Sequence, residues 1–228
     1  MNINAYTIRG HQYFTIVYNF VGTSEAAQYY VYSDLTIQNA DYYIRNQPAY
    51  LQLKAMAAYS KNGQVNMALV FGPASDVRIV SLDKSSQEWL KEAEEMSEKK
   101  YYPVCIRFSQ ADSGSRIYTI YQKDTPTSFE WGLSLGDLQQ RIDDRRLYQN
   151  SFVTDLSYEV LPDGDARYAA VFSNDRFGND QFRIDLVFDR YNFYYSNTAL
   201  QESKYHAVAL TPVIQKHADP GYLTAYWR

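Results

Sequence analysis

A turn glycine recurs along this chain at close to fifty-residue spacing, and that period constrains the fold more than any other feature. Gly10, Gly63, Gly114, Gly164 and Gly221 lie 53, 51, 50 and 57 residues apart. Each sits between two runs rich in β-branched and aromatic residues, in turns that read Arg9-Gly10, Asn62-Gly63, Ser113-Gly114, Asp163-Gly164 and Asp219-Pro220-Gly221. Asn-Gly and Asp-Gly favour tight hairpins, because such turns need a positive φ that glycine supplies without steric cost. An aromatic residue keeps the same period on the outgoing strand: Tyr18, Phe71, Tyr121, Phe172 and Trp227 are 53, 50, 51 and 55 residues apart. Two markers in step identify a repeat array, which has to be recognised before any local structure is assigned.

The expected incoming strands include Leu51 to Tyr59, Tyr102 to Phe108, Phe152 to Val160 and His206 to Ile214. After each of the first four hairpins comes a third extended segment: Gln28 to Leu35, Val77 to Leu82, Ser128 to Leu135 and Phe182 to Phe188. A helical segment follows. Ser85 and Glu88 have the spacing of a capping box, and Trp89, Leu90, Ala93 and Met96 share one face of a helix over Ser85 to Ser97. Leu138, Ile142 and Leu147 mark a looser helix from about Asp137 to Tyr148, and poorer helix formers fill Thr36 to Asn46 and Arg190 to Ser203. The expected class is therefore α+β and β-rich: a single domain over 1–228, with units near 1–48, 49–100, 101–149 and 150–204 and a terminal hairpin at 205–228. Such units form either a short solenoid or a closed ring in which the last hairpin returns beside the first.

Composition narrows the function classes. Of 228 residues, 46% are hydrophobic and 21% charged, which is globular and far from the profile of disorder. The net charge of −4 argues against a nucleic-acid binder, whose affinity needs a basic face. Cys105, the single cysteine, excludes an intrachain disulfide and a thiolate cluster. No run approaches the ~18–20 apolar residues that span a bilayer. Met1-Asn-Ile-Asn-Ala lacks the charged start and apolar run of a signal peptide, so a secreted form would be one whose signal has been removed. Asn150-Ser151-Phe152 and Asn197-Thr198-Ala199 both fail as N-glycosylation sequons at their third position.

The segment "DLQQRIDDRRLYQNSFVTDLSYEVLPDGDARYAAVF", Asp137 to Phe172, resembles the bacterial tandem repeat domain, found also in the amino-terminal region of fungal polyglycine hydrolases. That pattern is a helix, a "GYRP"-like lead-in, a hairpin and an "RYAAVW"-like outgoing strand. "EWLKEAEEMSEKKYYPVCIRFSQADSGSRIYTIY", Glu88 to Tyr121, fits similarly, with Tyr101-Tyr102-Pro103-Val104 as the lead-in; degenerate copies cover Tyr42 to Phe71 and Tyr194 to Trp227. The chain departs from the family at Val80-Ser81, Leu133-Ser134 and Val187-Phe188, where family repeats often carry a histidine. The resemblance implies a secreted or cell-surface repeat module. It does not imply hydrolysis, which in those hydrolases belongs to a separate domain.

Motif chemistry is sparse. Ser81-Leu-Asp-Lys84 and Ser97-Glu-Lys-Lys100 both match S-x-x-K, the nucleophile motif of serine β-lactamases, yet no Lys-Thr-Gly accompanies them and the repeat fills the chain. Both serines read as helix caps or surface residues. His11, His206 and His217 have no metal-ligand spacing, and Cys105 alternates with apolar neighbours as a core thiol does. The loop Ser173 to Asp180 groups Asn174, Asp175, Asn179 and Asp180, oxygen ligands of the kind calcium takes, but without EF-hand spacing. Asp143-Asp144 and the Glu92, Glu94, Glu95, Glu98 face read as solvated surfaces. No catalytic residue, metal site or cofactor is expected.

What remains is the aromatic excess: 23 Tyr, 11 Phe and 3 Trp. Part of it is the periodic outgoing-strand position. The irregular clusters Tyr29, Tyr30, Tyr32; Tyr42, Tyr43; and Tyr191, Tyr194, Tyr195, together with Trp89 and Trp131, are the candidate ligand-binding residues. Exposed rings add apolar area at little entropic cost and stack on sugar faces or anchor protein partners. The expected function is a non-catalytic repeat protein that binds a glycan or protein ligand through these surfaces, with self-association through strand edges also open. The alternative is an enzyme or small-ligand carrier using a cavity at the centre of a closed ring.

Overall fold

In a computed structural model, the described residues are 2–8, 11–17, 29–61, 63–111, 114–161, 163–174, 182–187, 198–200, 202, 206–213 and 221–227. In chain order they form a hairpin, β1 (Asn2–Ile8) and β2 (His11–Val17), and then repeating sets. The first set is β3 (Tyr30–Thr36), α1 (Ile37–Arg45), β4 (Leu51–Lys61) and β5 (Gln64–Pro73). The second is β6 (Arg78–Lys84), α2 (Ser86–Glu98), β7 (Tyr101–Ala111) and β8 (Gly114–Lys123). The third is β9 (Thr127–Leu133), α3 (Leu135–Gln149), β10 (Phe152–Val160) and β11 (Ala166–Ser173). β12 (Phe182–Val187), β13 (His206–Val213) and β14 (Gly221–Trp227) complete the series.

Each third strand hydrogen-bonds to the outgoing strand of the hairpin that follows it, giving the sheet orders β3-β5-β4, β6-β8-β7, β9-β11-β10 and β12-β14-β13 beside the two-stranded β1-β2. This corrects the expected class. Strands dominate, helices are few, and the chain forms five separate, small, open antiparallel sheets in place of a closed ring or a solenoid. The physical reason is that the third strand completes its own sheet, so backbone pairing closes within three strands and does not pass from one sheet to the next. A sequence period reports the local unit and is silent on how units join.

The local devices repeat closely. Thr36, Ser85 and Ser134 are the N-caps of α1, α2 and α3, each accepting from a backbone N–H three residues on. Two residues before each cap the third strand passes through the left-handed region, at Asp34 (φ 57°), Asp83 (φ 59°) and Gly132 (φ 71°). The ladder slips at these points, between Tyr32 and Leu35 and between Ser81 and Lys84, and opposite Gly132 between Tyr168 and Ala170. Gly and Asp are among the residues that visit this region most readily. The aspartates are also tied down. Asp34 takes a hydrogen bond from the Tyr59 hydroxyl (2.8 Å) and pairs with Lys61 (2.9 Å), while Arg116 Nε donates to Asp83 at 2.8 Å. The incoming strands carry their own bulges, between Leu53 and Ala55, Pro103 and Cys105, Val153 and Asp155, and Ala207 and Ala209.

The chain divides into two compact units. Unit Phe20–Pro126 holds the β3-β5-β4 and β6-β8-β7 sheets over a core that includes Ala40, Met56, Leu69, Phe71, Cys105 and Ile120. The other unit, Met1–Asn19 with Thr127–Arg228, centres on Leu138, Ile142, Leu156, Phe172, Ala209 and Leu223. Within it the buried Asn4 amide donates to the Leu156 and Leu210 carbonyls (3.0 and 2.6 Å), linking β1 to β10 and β13. Tyr158 in turn donates its hydroxyl to the Ala5 carbonyl at 2.7 Å.

Candidate ligand-binding surface

Comparing equivalent positions across the repeats separates rings that hold the fold from rings that face solvent. Four residues before each N-cap and seven after it stand a strand residue and a helix residue that meet. In the first set Tyr32 and Tyr43 pack with ring centroids 4.6 Å apart. In the second, Ser81 donates its hydroxyl to the Glu92 carboxylate at 2.5 Å. In the third, Arg141 pairs with Glu130 at 3.2 Å. A ring–ring contact, a hydrogen bond and an ion pair thus fill one structural post, the fastening of helix to third strand. Tyr32 also meets the buried Phe71 edge-on at 5.8 Å. Tyr32 and Tyr43 therefore carry an architectural duty that their tyrosine identity does not reveal.

Trp89 belongs to the core outright. It is fully buried and donates its indole N–H to Thr119 Oγ1 at 2.7 Å. Its equivalents, four residues after each cap, are the fully buried Ala40 and Leu138. The repeat equivalents of Thr119 on the outgoing strands are Leu69, in the same core as Ala40, and Ala170, in the same core as Leu138, so the largest helix residue goes with a small strand residue and the smallest with leucine. Close packing demands this compensation. A buried indole cannot serve as a platform, which removes Trp89 from the ligand-binding candidates. Trp131 is half-buried and stacks on Phe129 at 6.2 Å, beside the Gly132 bulge. Tyr191, Tyr194 and Tyr195 lie outside the described residues, as do His217 and the loop positions Asp175, Asn179 and Asp180. His11 and His206 fall on β2 and β13, with their side chains outside the description.

Three candidate tyrosines face water, all in unit Phe20–Pro126: Tyr29 (48% exposed), Tyr30 (37%) and Tyr42 (63%). Tyr42 caps a ladder of rings, resting edge-on against Tyr43 at 6.0 Å, which packs on Tyr32 and through it on Phe71. Its neighbours on the helix surface are Asp41 and Arg45, paired at 2.8 Å. Tyr29 rests against Gly72: a Cβ at that position would collide with Tyr29 Cε1 and Cδ1, so glycine makes room for the ring.

Around Tyr29 stand hydrogen-bonding side chains. Lys54 lies against the same Gly72 position and donates to Gln52 Oε1 (2.9 Å) and Ser75 Oγ (2.8 Å). Burial, and then the charge of Arg78, hold the Lys54 ammonium below its usual range. Arg78 grips Asp76 with Nε (2.6 Å) and NH2 (3.1 Å), and sends NH1 to the Leu53 and Lys54 carbonyls at the β4 bulge. Burial raises the Asp76 carboxyl, but the Arg78 hydrogen bond and charge outweigh it and leave it below the ordinary value. The result is an exposed ring bordered by a lysine, an amide and a hydroxyl, with the charged pair behind them fixed in place.

Other polar clusters are occupied structurally. The Ser81 hydroxyl, the one S-x-x-K serine in a buried position, is committed to Glu92. Cys105 is buried in the core. Burial, reinforced by the Asp34 carboxylate, pushes the Tyr59 hydroxyl up to about 12, so it stays protonated and donating. Among the described residues no three His, Cys, Asp or Glu side chains gather as a metal ion would require, and no helix is long and apolar enough to cross a membrane. Tyr50 and Tyr148, which sequence reasoning passed over, are 68% and 80% exposed, and Leu147, an expected apolar marker of the third helix beside Leu138 and Ile142, is 65% exposed. The first follows Pro48 in a turn and the others sit on the last turn of α3, positions where a ring or a leucine has no core to reach. No protein-family model and no curated protein matches this chain.

Proposed function

We propose that this protein is a non-catalytic binding module that takes a glycan on the Tyr29 surface, with Tyr42 as a second exposed platform. The observation that carries the reading is the Tyr29 ring, held over Gly72 and flanked by Lys54, Gln52 and Ser75. A sugar presents an apolar C–H face and a rim of hydroxyls; a tyrosine ring bordered by donors and acceptors matches both. A protein ligand would use the same rings as anchors, but it draws less on the polar border. Placement outside the cell rests on the resemblance to the bacterial tandem repeat family. The enzyme or carrier alternative needed the cavity of a closed ring and loses its premise with open sheets.

The test is a glycan array followed by calorimetric titration of the best ligand against the parent, Tyr29→Ala, Lys54→Ala and Tyr42→Ala. Removing the Tyr29 ring is expected to weaken binding about tenfold, equivalent to about 1.4 kcal/mol. Lys54→Ala is expected to cost a lesser factor. No saturable glycan, or Tyr29→Ala binding as tightly as the parent, would overturn the assignment.

A further inference from the structure

β3 differs from the other third strands in a way that points to a second copy of the chain. Among the described residues it forms one edge of its sheet. Its leading stretch, Tyr29-Tyr30-Val31-Tyr32-Ser33, carries no charge, proline or glycine, whereas β6 begins on Arg78, β9 holds Glu130 and β12 holds Arg183 and Asp185. Exposure differs too. Val31 is 56% exposed, while Val80 at the equivalent position of β6 is half-buried beside α1, which packs against β6. Natural sheets blunt their edges with charges, prolines, bulges or covering elements, and an uncharged edge of high β-propensity is a template for another strand.

We propose that β3 pairs edge to edge and antiparallel with β3 of a second copy, about a two-fold axis at Val31. In this register Val31 faces Val31, Tyr30 faces Tyr32 and Tyr29 faces Ser33 of the other chain. The segment is its own match: β-branched and aromatic residues oppose one another and no like charges meet. The pairing is isologous and closes at two chains, joining two three-stranded sheets into one of six. It ends at Asp34, whose positive φ turns the strand and whose carboxylate is engaged by Tyr59 and Lys61. A foreign extended segment lacks this self-matching and is not the occupant inferred.

Sedimentation equilibrium of the full chain across a concentration series tests this. The parent is expected to move from the 26.5 kDa chain to twice that mass. Val31→Lys and Val31→Glu each place like charges directly opposite one another and are expected to raise the dissociation constant at least tenfold. Their equimolar mixture is expected to restore the dimer as a Lys–Glu heterodimer, a result that only pairing centred on residue 31 produces. Circular dichroism confirms that each variant is folded; should Val31→Lys fail there, Ser33→Lys, which sets a lysine against Tyr29 of the other chain, replaces it with a smaller expected rise in the dissociation constant. The proposal is overturned by a parent that stays monomeric to about 1 mM, where even a weak association half-fills. It is equally overturned by a folded charged variant that dimerises like the parent, by a mixture that stays monomeric, or by growth past two chains. Tyr42→Ala is expected to dimerise normally, which separates this outcome from any failure of glycan binding.

Discussion

The size compensation between helix and outgoing strand gives the sharpest prediction for the fold. Replacing Trp89 by alanine removes a fully buried indole that donates to Thr119 at 2.7 Å. A buried aromatic covers about 150–250 Å², which at about 25 cal/mol per Å² is worth roughly 4–6 kcal/mol, in line with the 3–5 kcal/mol observed for such truncations. The Thr119 hydroxyl also loses that donor, adding to the cost. In the first set the same two posts hold Ala40 and Leu69. The double variant Trp89→Ala/Thr119→Leu imports that solution and should recover about 1–2 kcal/mol of the loss, since residues in contact couple by such amounts. Urea unfolding followed by far-ultraviolet circular dichroism reads both. A single variant losing less than about 1 kcal/mol, or a double variant no more stable than the single, would show that the two posts are not complementary.

Two further expectations concern the left-handed position before each helix. The Arg116 hydrogen bond, against a lesser opposing effect of burial, holds the Asp83 carboxyl below its usual value. Its contribution to stability is therefore complete above the unfolded pKa of about 3.9 and is lost as pH falls through the lower folded value. Asp83→Asn should destabilise the protein at neutral pH and flatten the acid limb of a stability–pH curve below about pH 4; an unchanged limb would count against the pair. At Gly132 (φ 71°) a Cβ would meet nothing within 4 Å, so any cost of substitution is backbone strain. Gly132→Asp, copying Asp34 and Asp83, should be tolerated, while Gly132→Val should lose about 1–2 kcal/mol in thermal or urea unfolding; equal stability of the two would refute the strain assignment.

Legibility followed the range of the interaction. The Ser85–Glu88 capping box was readable from four residues, and both of its hydrogen bonds form. The sequence places a helix over about Asp137 to Tyr148 and α3 runs Leu135–Gln149, because its cap and apolar spacing are local. The tyrosine clusters were less transparent. In Tyr29-Tyr30-Val31-Tyr32 the alternation separates Tyr32, packed on Phe71, from Val31 on the other face, but nothing in the run itself shows that Tyr32 is engaged by Tyr43. In the sequence Trp89 reads both as a member of the apolar helix pattern and as a candidate aromatic platform. Its burial depends on Thr119, thirty residues away, being small enough to admit it.

By itself the sequence determined where turns, caps and extended runs fall, because those choices rest on backbone preferences of a few neighbouring residues. Gly63, Gly114 and Gly164 all sit at hairpin turns with positive φ. Only the tertiary structure decided which hairpin each third strand joins and that the resulting sheets stay open. It also decided which tyrosines are fasteners and which face water. Those outcomes depend on partners far apart in the chain, whose packing and hydrogen bonding a period of about fifty residues repeats without specifying.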